Sequence, residues 1–388
     1  MKKLLIAIFT FVMSVNVYAQ NPDIHSKAAV LMDSHTGRVL WQKNMEEELS
    51  MASTTKIMTA IIALESGKLE EIVIASNNAS SAPKVKMGLQ TGEKHRLYDL
   101  LYPLMLESSN DAAVAIAEHV GGSVEAFAQM MNEKARDIGA YNTEFVTPNG
   151  LDKDNHHSTA YDMALITRYA LENDEFVKII NTKSITIPLK NKDEKTYTFY
   201  NKNRLLSEYS GAMGVKTGYT NKAGNCFVGA AERDDEKYIS VVLASGWGSE
   251  GKEQKWIDTK KLLDYGFENY SYIRIDKKQF DTKNVTVMHS KEGFVETEVK
   301  EDVFLCITEE EKENVKIRHS LAEKTEAPVL EGQILGKLEV VLENGEILFE
   351  TDIISAENIK RHDFKTCVEK VIDLWFNING EMLDFIRI

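Results

Sequence analysis

The chain has 388 residues, of which 43% are hydrophobic, and it carries 60 acidic against 46 basic side chains, a formal net charge of -14. This length and apolar content allow a sizeable core and more than one domain. Nucleic-acid binding normally needs a basic footprint, and none stands out in this acidic chain, so we expect no nucleic-acid partner.

The first residues have the pattern of a secretory signal peptide. Lys2 and Lys3 precede a short apolar run, and the small residues that a signal peptidase reads end at Ala19. A membrane-spanning helix is the alternative, but polar Ser14 interrupts the apolar stretch too early for one. The sequence therefore predicts an exported protein whose signal peptide covers residues 1–19.

The cysteines and histidines do not predict a disulfide framework or a metal site. The three cysteines are odd in number and far apart, so we expect buried, small apolar side chains. No CxxC or HExxH motif is present. His156 and His157 are adjacent and would point to opposite faces of a strand. We expect neither a metal nor another cofactor.

The mature chain begins with a region that contains both strands and helices. Its predicted elements are, in chain order, a β-hairpin in AAVLMDSHTGRVLWQKN, a helix starting near Ser53, a helical stretch LYDLLYPLMLESSNDAAVAIAEHV interrupted at SSN, a helix over 124–138, a helix that opens with a capping box from Thr159 to Asp162, a hairpin of AGNCFVGAAER with KYISVVLASG, and a helix DTKKLLDYGFENY. Strands at both ends with helices between them predict one sheet with helices packed on it. We assign residues 23–272 to this first domain.

The chain changes character near residue 275. Short alternating runs with charged or glycine-containing breaks predict a small β-sandwich over residues 275–362. Its runs are VTVMH, FVETEV, DVFLCI, NVKIRH, GKLEVV and EILFET. The last segment, residues 366–388, places four apolar side chains on one helical face, Val368, Val371, Ile372 and Trp375.

The segment MASTTKIM places Ser53 three residues before Lys56 at a predicted helix start. Residues i and i+3 share a helical face, so the lysine can reach the serine hydroxyl. A serine becomes a good nucleophile only when a base takes its proton, and a lysine can be that base only if burial or a second cation lowers its pKa. The interpretation therefore requires another positive group nearby. The alternative is a helix start with a capping serine.

The triplet Lys216-Thr217-Gly218 can supply that positive group. It is the only Lys-Thr-Gly in the chain and it precedes the strand around Cys226. On an edge strand, Lys216 would flank Ser53 and Thr217 could donate a hydrogen bond to a carboxylate. Gly218 would leave room for a substrate backbone beside the strand. Standing alone, the triplet would indicate only a charged turn between strands.

Other matches to the same short patterns are set aside by their context. Two further Ser-x-x-Lys segments start at Ser81, where Pro83 disfavours the helical turn, and at Ser249, which we predict to lie in a glycine-rich loop. Ser-x-Asn occurs three times. Only Ser108 lies between two strong apolar runs of the mature chain.

Taken in order, ASTTKIMTA, ESSNDAA and GVKTGYT resemble the three active-site motifs of penicillin-binding serine enzymes. The closest resemblance is to the D-alanyl-D-alanine carboxypeptidases, the low-molecular-mass penicillin-binding proteins. It extends over nearly the whole mature chain and includes LMDSHTGRVLW, TPNGLD, HHSTAYDMA and APVLEGQILGKLEV. The resemblance implies an α/β (α+β) catalytic domain of the β-lactamase/transpeptidase type, with an antiparallel sheet and helices, followed by a small all-β sandwich domain.

The resemblance also implies the chemistry of each catalytic residue. Ser53 attacks the carbonyl between two D-alanines of a peptidoglycan stem peptide, Lys56 takes its proton, and Ser108 relays a proton to the departing amine. Water then hydrolyses the acyl-enzyme, and β-lactams would trap it. Many relatives carry an arginine where this chain has Lys255, and we leave that position outside the predicted site.

Substrate binding is implied for a second set of residues. Asn110 holds the substrate amide, Lys216 and Thr217 bind the terminal carboxylate, and Gly218 gives the substrate backbone room. The N–H groups of Ser53 and Tyr219 form the oxyanion hole. Tyr219 stands where some relatives have histidine, but only its backbone is needed.

In this family the C-terminal helix binds the outer face of the cytoplasmic membrane, so we expect peripheral membrane contact here. Trp375, Phe376 and Phe385 suit an interface, although the segment is acidic and would not be attracted to anionic lipid. The alternative is a helix packed on its own domain.

Three other functions remain open at this point. A serine β-lactamase needs a carboxylate that activates water, typically in a Glu-x-x-x-Asn segment; here Glu144 is followed four residues later by Pro148, and Asn149 comes one residue late. An endopeptidase acting on cross-linked peptides would share the three motifs. A β-lactam sensor that stalls after acylation would be the non-enzymatic alternative.

Overall fold

A computed structural model describes residues 21–188 and 196–362, together with Val368, Val371, Ile372 and Trp375. The predicted signal peptide lies outside these residues. The elements of the first part are β1 (Ala28–Asp33), β2 (Val39–Lys43), α1 (Lys56–Glu65), β3 (Ile72–Ile74), α2 (Asn77–Ser80), β4 (Lys94–Arg96), α3 (Leu97–Leu106), α4 (Asn110–Gly121), α5 (Val124–Ile138), α6 (Ala160–Leu171), α7 (Asp174–Asn181), β5 (Ser184–Pro188), β6 (Thr196–Tyr200), α8 (Leu205–Glu208), β7 (Ala212–Thr220), β8 (Gly224–Arg233), β9 (Glu236–Leu243) and α9 (Gly248–Asn269).

The centre of this first part is a five-stranded antiparallel sheet with the order β2-β1-β9-β8-β7. Its middle strands are buried along most of their length, because α9 covers one face while α6 and α7 cover the other. One core cluster lies between the sheet and α9, and a larger one joins the other face to α1, α3 and α4. The edge strand β7 lies beside the short 3₁₀ helix Ala52–Thr55 that precedes α1.

The helix predictions hold in position, with two differences in detail. Thr159 caps α6 by accepting a hydrogen bond from the Asp162 N–H, but the Asp162 carboxylate does not complete the capping box. It accepts instead from the Asn142 N–H at 2.8 Å and from Thr143 Oγ1 at 2.7 Å, which fixes the loop before α6. The last helix of this part, α9, begins at Gly248, well before the predicted segment.

The second part is rich in strands. Its elements are β10 (Ser271–Ile275), β11 (Val285–Met288), β12 (Phe294–Val295), β13 (Thr297–Val299), β14 (Val303–Ile307), α10 (Glu309–Asn314), β15 (Lys316–Leu321), β16 (Lys324–Glu326), β17 (Ile334–Val341) and β18 (Ile347–Ser355). They form sheets of order β13-β18-β17-β15, β12-β11-β16 and β10-β14, around two apolar clusters. The six predicted strand runs all coincide with strands, and the short helix α10 was not predicted.

The two parts meet at the β1–β2 hairpin. Arg38, in the turn of that hairpin, donates to Cys306 O and to Glu311 Oε2, both at 2.9 Å. The Tyr272 hydroxyl donates to the Asp33 carboxylate. Because β10 pairs with β14, it joins the second part although its first residues precede the predicted boundary. The limits 23–272 and 275–362 stay predictions.

The end of the chain is described at four positions. Val368, Val371, Ile372 and Trp375 have helical backbone, and their exposed fractions range from 39% to 67%. Within the described part of the chain, no helix combines the length and apolarity that crossing a membrane requires.

Candidate active site

The turn that carries Ser53 is the 3₁₀ helix directly before α1. Ala52, the residue before the serine, has a left-handed backbone with φ of +49°, which few non-glycine residues adopt. Strand β7 passes so close that a Cβ on Gly218 would lie 3.0 Å from Ser53 N. Glycine at position 218 is therefore what allows the strand to approach the serine.

Lys56 connects the serine to two other segments. Its side chain is completely buried, and its Nζ lies 2.9 Å from Ser53 Oγ. It also donates to Asn110 Oδ1 at 2.8 Å and to the backbone oxygen of Asn149 at 2.6 Å. Among the described residues, no carboxylate forms a hydrogen bond or an ion pair with this lysine. Nothing acidic in direct contact therefore holds it in the charged form.

Ser108 and Asn110 lie where α3 gives way to α4. Ser108 has a left-handed backbone with φ of +66°, and its half-buried hydroxyl makes no hydrogen bond to any described residue. Ser108 lies two residues before Asn110, which contacts Lys56, but Ser108 itself forms no hydrogen bond with Ser53 or Lys56. Asn110 is in contact through its Oδ1, while its Nδ2 donates to Pro83 O at 3.1 Å.

The loop beside α4 is fixed by a residue that the sequence analysis did not single out. The buried carboxylate of Asp111 accepts hydrogen bonds from the N–H groups of Met87, Gly88 and Leu89 at 2.8 to 3.0 Å. This keeps the preceding segment against the site, where Val85 O accepts from the Asn110 N–H at 2.8 Å. The only signal in the sequence was an aspartate directly after the Ser-x-Asn motif.

Strand β7 brings the third predicted motif to the other side of Ser53. Lys216 is buried, and its Nζ donates to Thr217 O at 2.9 Å. Thr217 is half-buried. Tyr219 is exposed, and its hydroxyl donates to Asn221 Oδ1 at 3.3 Å, away from Ser53. The structure thus brings residues of all three motifs, Lys56, Asn110 and Gly218, close to Ser53 at the sheet edge.

The electrostatic environment around Ser53 favours uncharged amines on Lys56 and Lys216. Burial lowers the pKa of Lys56 well below its usual range, and the nearby charge of Lys216 lowers it further, while Asp111 acts in the opposite direction. Burial also lowers the pKa of Lys216 to about 7, assisted by Lys255 and Lys202. The second basic group that the sequence analysis required is therefore present, and it lowers the pKa of Lys56 whenever it is protonated.

Two contributors to this field were outside the predicted site. Lys255 on α9 is buried, its pKa is lowered by burial to about 8, and its Nζ donates to Asn225 Oδ1 at 3.3 Å. Lys202 precedes α8, and its N–H donates to Leu106 O at the end of α3. Both act on Lys216 from segments that carry no motif. The only sign in the sequence that either residue contributes was at position 255, where this chain has lysine and many relatives have arginine.

The other two Ser-x-x-Lys segments begin at the end of α2 and at the start of α9. Ser81 ends α2, and Lys84 is exposed. The prediction that Ser249 lies in a loop is wrong, since it occupies the first turn of α9, although its side chain is exposed. Gly251 is required by packing, since a Cβ there would lie 2.2 Å from the carbonyl carbon of Gly246.

Two family models match the chain. One, described as D-alanyl-D-alanine carboxypeptidase, matches residues 15–246, and the other, described as penicillin-binding protein 5, C-terminal domain, matches residues 267–361. The chain belongs to the D-alanyl-D-alanine carboxypeptidase family. This membership confirms the family, the fold class and the serine carboxypeptidase activity that the sequence predicted.

Individual carboxypeptidases support the assignment over most of their length. The chain is 33% identical to D-alanyl-D-alanine carboxypeptidase DacF of Bacillus subtilis, over 90% of each chain. It is 31% identical to DacC of Escherichia coli, over 88% of this chain and 86% of DacC. Penicillin-binding protein 5 from Haemophilus influenzae superposes with a TM-score of 0.75 at 30% identity, covering 88% of this chain and 99% of that structure.

Proposed function

We propose that this carboxypeptidase removes the terminal D-alanine from peptidoglycan stem pentapeptides through an acyl-enzyme on Ser53. The observation that carries the proposal is the Lys56 amine, which lies buried 2.9 Å from Ser53 Oγ and forms no hydrogen bond with a carboxylate of the described residues. A buried amine that is uncharged can accept the serine proton, which is the requirement for a general base.

The reaction would proceed in two stages. Ser53 Oγ passes its proton to Lys56 Nζ and bonds to the carbonyl carbon of the penultimate D-alanine. The resulting oxyanion accepts hydrogen bonds from the N–H groups of Ser53 and Tyr219, each typically worth about 3 kcal/mol. The Ser108 hydroxyl gives its proton to the departing amine and recovers one from Lys56, so the C–N bond breaks and D-alanine leaves. Water then repeats the sequence on the acyl-enzyme and releases the shortened peptide.

The substrate would be bound by side chains of the second and third motifs and by the open side of strand β7. Lys216 and Thr217 would bind the terminal carboxylate, and Gly218 would let the substrate backbone lie along β7. Asn110 uses its Oδ1 for Lys56 and one Nδ2 hydrogen for Pro83, so its second Nδ2 hydrogen is free to donate to a substrate carbonyl. A β-lactam would occupy the same positions and acylate Ser53.

The β-lactamase alternative has less support. Glu144, the nearest match to a water-activating glutamate, accepts a hydrogen bond from Asn132 Nδ2 at 3.0 Å, which occupies its carboxylate elsewhere. In the described part of the chain, no carboxylate forms a hydrogen bond with Ser53. Rapid deacylation of a β-lactam is therefore not expected.

The decisive experiment measures D-alanine release from a pentapeptide ending in D-Ala-D-Ala, together with labelling by a fluorescent penicillin. Release and labelling by the wild type, both lost in Ser53→Ala, are the expected result. Labelling at Ser53 without release would instead support an endopeptidase or a sensor. Neither release nor labelling would reject the proposal.

We further propose that the protein is exported and touches the membrane through its C-terminal segment. The signal-like start and four exposed helical positions support this, namely Val368, Val371, Ile372 and Trp375. Flotation of the mature protein with zwitterionic vesicles, compared with a variant ending at residue 362, tests the contact. Equal flotation of the two proteins would contradict it.

A further inference from the structure

A chain of buried hydrogen bonds runs beneath the nucleophile turn. The Val146 N–H donates to His156 Nδ1 at 2.9 Å, and His156 Nε2 lies 3.0 Å from Thr55 Oγ1. Thr55 Oγ1 in turn donates to Ala52 O at 2.8 Å. The exposed fraction is 3% for His156 and 0% for Thr55, so water does not compete for these bonds. The chain thus connects a distant loop to the residue before Ser53.

The direction of every proton in this chain follows from its first donor. A backbone N–H can only donate, so His156 Nδ1 must accept, and the neutral imidazole carries its proton on Nε2. Nε2–H therefore donates to Thr55 Oγ1, whose own proton is directed to Ala52 O. Burial keeps His156 neutral by lowering its pKa to about 4, and the charges of His157 and Lys222 act in the same direction.

The last acceptor in this series of hydrogen bonds, the Ala52 carbonyl, belongs to a residue with a strained backbone. Ala52 has φ of +49°, a conformation that persists in a non-glycine residue only when its surroundings hold it. Gly150 lies against the same carbonyl, since a Cβ there would be 2.0 Å from Ala52 O. The Ala52 carbonyl is therefore held from two sides, by the Thr55 hydroxyl and by the packed backbone of Gly150.

The orientation of this carbonyl determines that of the nucleophile's own N–H. Ala52 C=O and Ser53 N–H belong to one planar trans peptide unit, so they point in opposite directions. Fixing the carbonyl toward Thr55 therefore aims the Ser53 N–H away from it. The Ser53 nitrogen lies against β7, 3.0 Å from where a Gly218 Cβ would be, on the side where the substrate carbonyl would lie.

We propose that Thr55 and His156 are positioning residues that orient the Ser53 N–H as an oxyanion-hole donor. This inference rests on the proposed function, because it assigns a supporting structure to the same acylation step. Neither residue touches the substrate. Their contribution is to hold the donor in place before the negative charge develops, which is where such a donor gains its effect.

The test compares three substitutions of buried threonines. Thr55→Val keeps the shape and removes the hydroxyl, whereas Thr55→Ser keeps the hydroxyl. Thr59→Val is the matched control, because Thr59 lies one turn later on α1, is equally buried, and donates to Pro148 O at 2.6 Å. For each protein, stopped-flow labelling with a penicillin separates the dissociation constant of the first complex from the acylation rate constant. A peptidyl boronic acid measures affinity for a tetrahedral adduct, and thermal unfolding measures stability.

The expected result is specific to acylation. Thr55→Val lowers the acylation rate constant and the boronic acid affinity by about tenfold, less than full loss of a donor, while the dissociation constant changes little. Thr55→Ser stays near the wild type. Thr59→Val lowers the melting temperature comparably but keeps the acylation rate within about twofold.

Two outcomes overturn the proposal. One is wild-type acylation by Thr55→Val, and the other is a loss in both valine variants that follows their loss of stability. If the wild type itself takes no penicillin label, the proposed function fails and the role of Thr55 fails with it. A labelled wild type with an unaffected Thr55→Val variant refutes the positioning role alone.

A double variant tests whether His156 acts through Thr55. His156→Leu removes the donor to Thr55 and should slow acylation in the same sense. If both residues belong to one hydrogen-bonded chain, His156→Leu combined with Thr55→Val acylates no more slowly than Thr55→Val alone. Multiplied effects in the double variant would show that His156 acts by a separate route and would remove it from the proposal.

Discussion

The buried lysines near Ser53 and the exposed lysines of the strand-rich second part have pKa values shifted in opposite directions. Lys56 and Lys216 are buried, and their pKa values are lowered by burial first of all. On the second part, Lys300 and Lys337 are exposed and lie 2.8 Å and 2.5 Å from the carboxylates of Asp352 and Glu350. These hydrogen bonds raise the pKa of both lysines.

The difference shows what the proposed role of Lys56 as a base requires. An exposed pair such as Lys300 with Asp352 keeps its charge and contributes little to stability, since water screens it. A buried lysine without a carboxylate partner tends to lose its charge instead, and that loss makes the amine a base. Burial and the choice of partner, rather than the residue type, therefore distinguish a lysine suited to act as a base from one that stays charged at the surface.

The largest expected effect comes from placing a permanent positive charge beside Ser53. Lys56→Arg places a guanidinium beside Ser53 that cannot release its proton at ordinary pH. We expect acylation by penicillin to fall on the order of a thousandfold, the usual range for loss of a general base. Stopped-flow labelling measures the rate.

The matched control is Lys300→Arg, which keeps the pairing with Asp352 on the second part and should label at the wild-type rate. Labelling of Lys56→Arg within tenfold of the wild type would show that Lys56 is not the base.

The next effect concerns stability, because His156 is also a basic group that is buried without charge. Burial lowers its pKa from 6.5 to about 4, helped by His157 and Lys222. Between these values the unfolded chain binds the extra proton and the folded chain does not, so stability falls as the pH is lowered from about 6.5 to 4. The full loss amounts to about 3 kcal/mol.

Urea unfolding at several pH values measures this slope. His156→Gln should flatten it, whereas His319→Gln on the exposed strand β15 serves as the comparison. An unchanged slope in His156→Gln would mean that other groups cause the acid sensitivity.

Much of the fold and of the candidate site could be predicted because both depend on periodicity and spacing. The i and i+3 spacing of Ser53 and Lys56 predicted a contact that the structure has at 2.9 Å. Alternating runs predicted the strands of the second part. The hypothesis that the unique Lys-Thr-Gly lies on an edge strand beside Ser53 agrees with the position of β7 at the edge of the sheet.

The features that the sequence did not predict depend on backbone geometry and on contacts between segments that are distant in sequence. The Asn149 carbonyl that binds Lys56 has no side-chain signal, and the left-handed turn at Ala52 occurs at a residue with no preference for it. Asp162 fits a capping box in sequence, yet its carboxylate bonds to the preceding loop. Lys255 approaches the site across β8, a relation that only the folded sheet creates.

A smaller effect should appear in the pH dependence of catalysis. In the free enzyme the pKa of Lys216 is about 7, so above this pH Lys216 loses the charge that would bind the substrate carboxylate. Because kcat/KM reports the free enzyme, we expect it to decline with an alkaline limb of about tenfold per pH unit. Bound carboxylate raises the lysine pKa, so kcat should decline only at higher pH.

Lys216→Arg keeps the charge at all these pH values and should remove the alkaline limb of kcat/KM near pH 7. The profile for D-alanine release from the pentapeptide, measured between about pH 6 and 10, checks this. The same limb in the arginine variant would place the titrating group elsewhere.

The smallest expected effect is the change in the pKa of Lys216 when the charge of Lys255 is removed. Lys255 lowers the pKa of Lys216 through its charge, without a hydrogen bond between them. Lys255→Met should therefore raise that pKa and move the alkaline limb of kcat/KM upward by roughly half a pH unit. Lys252→Met, an exposed position on the same helix, should move it less. Equal shifts in both variants would mean that the net charge of the protein, and not the buried position of Lys255, determines the pKa of Lys216.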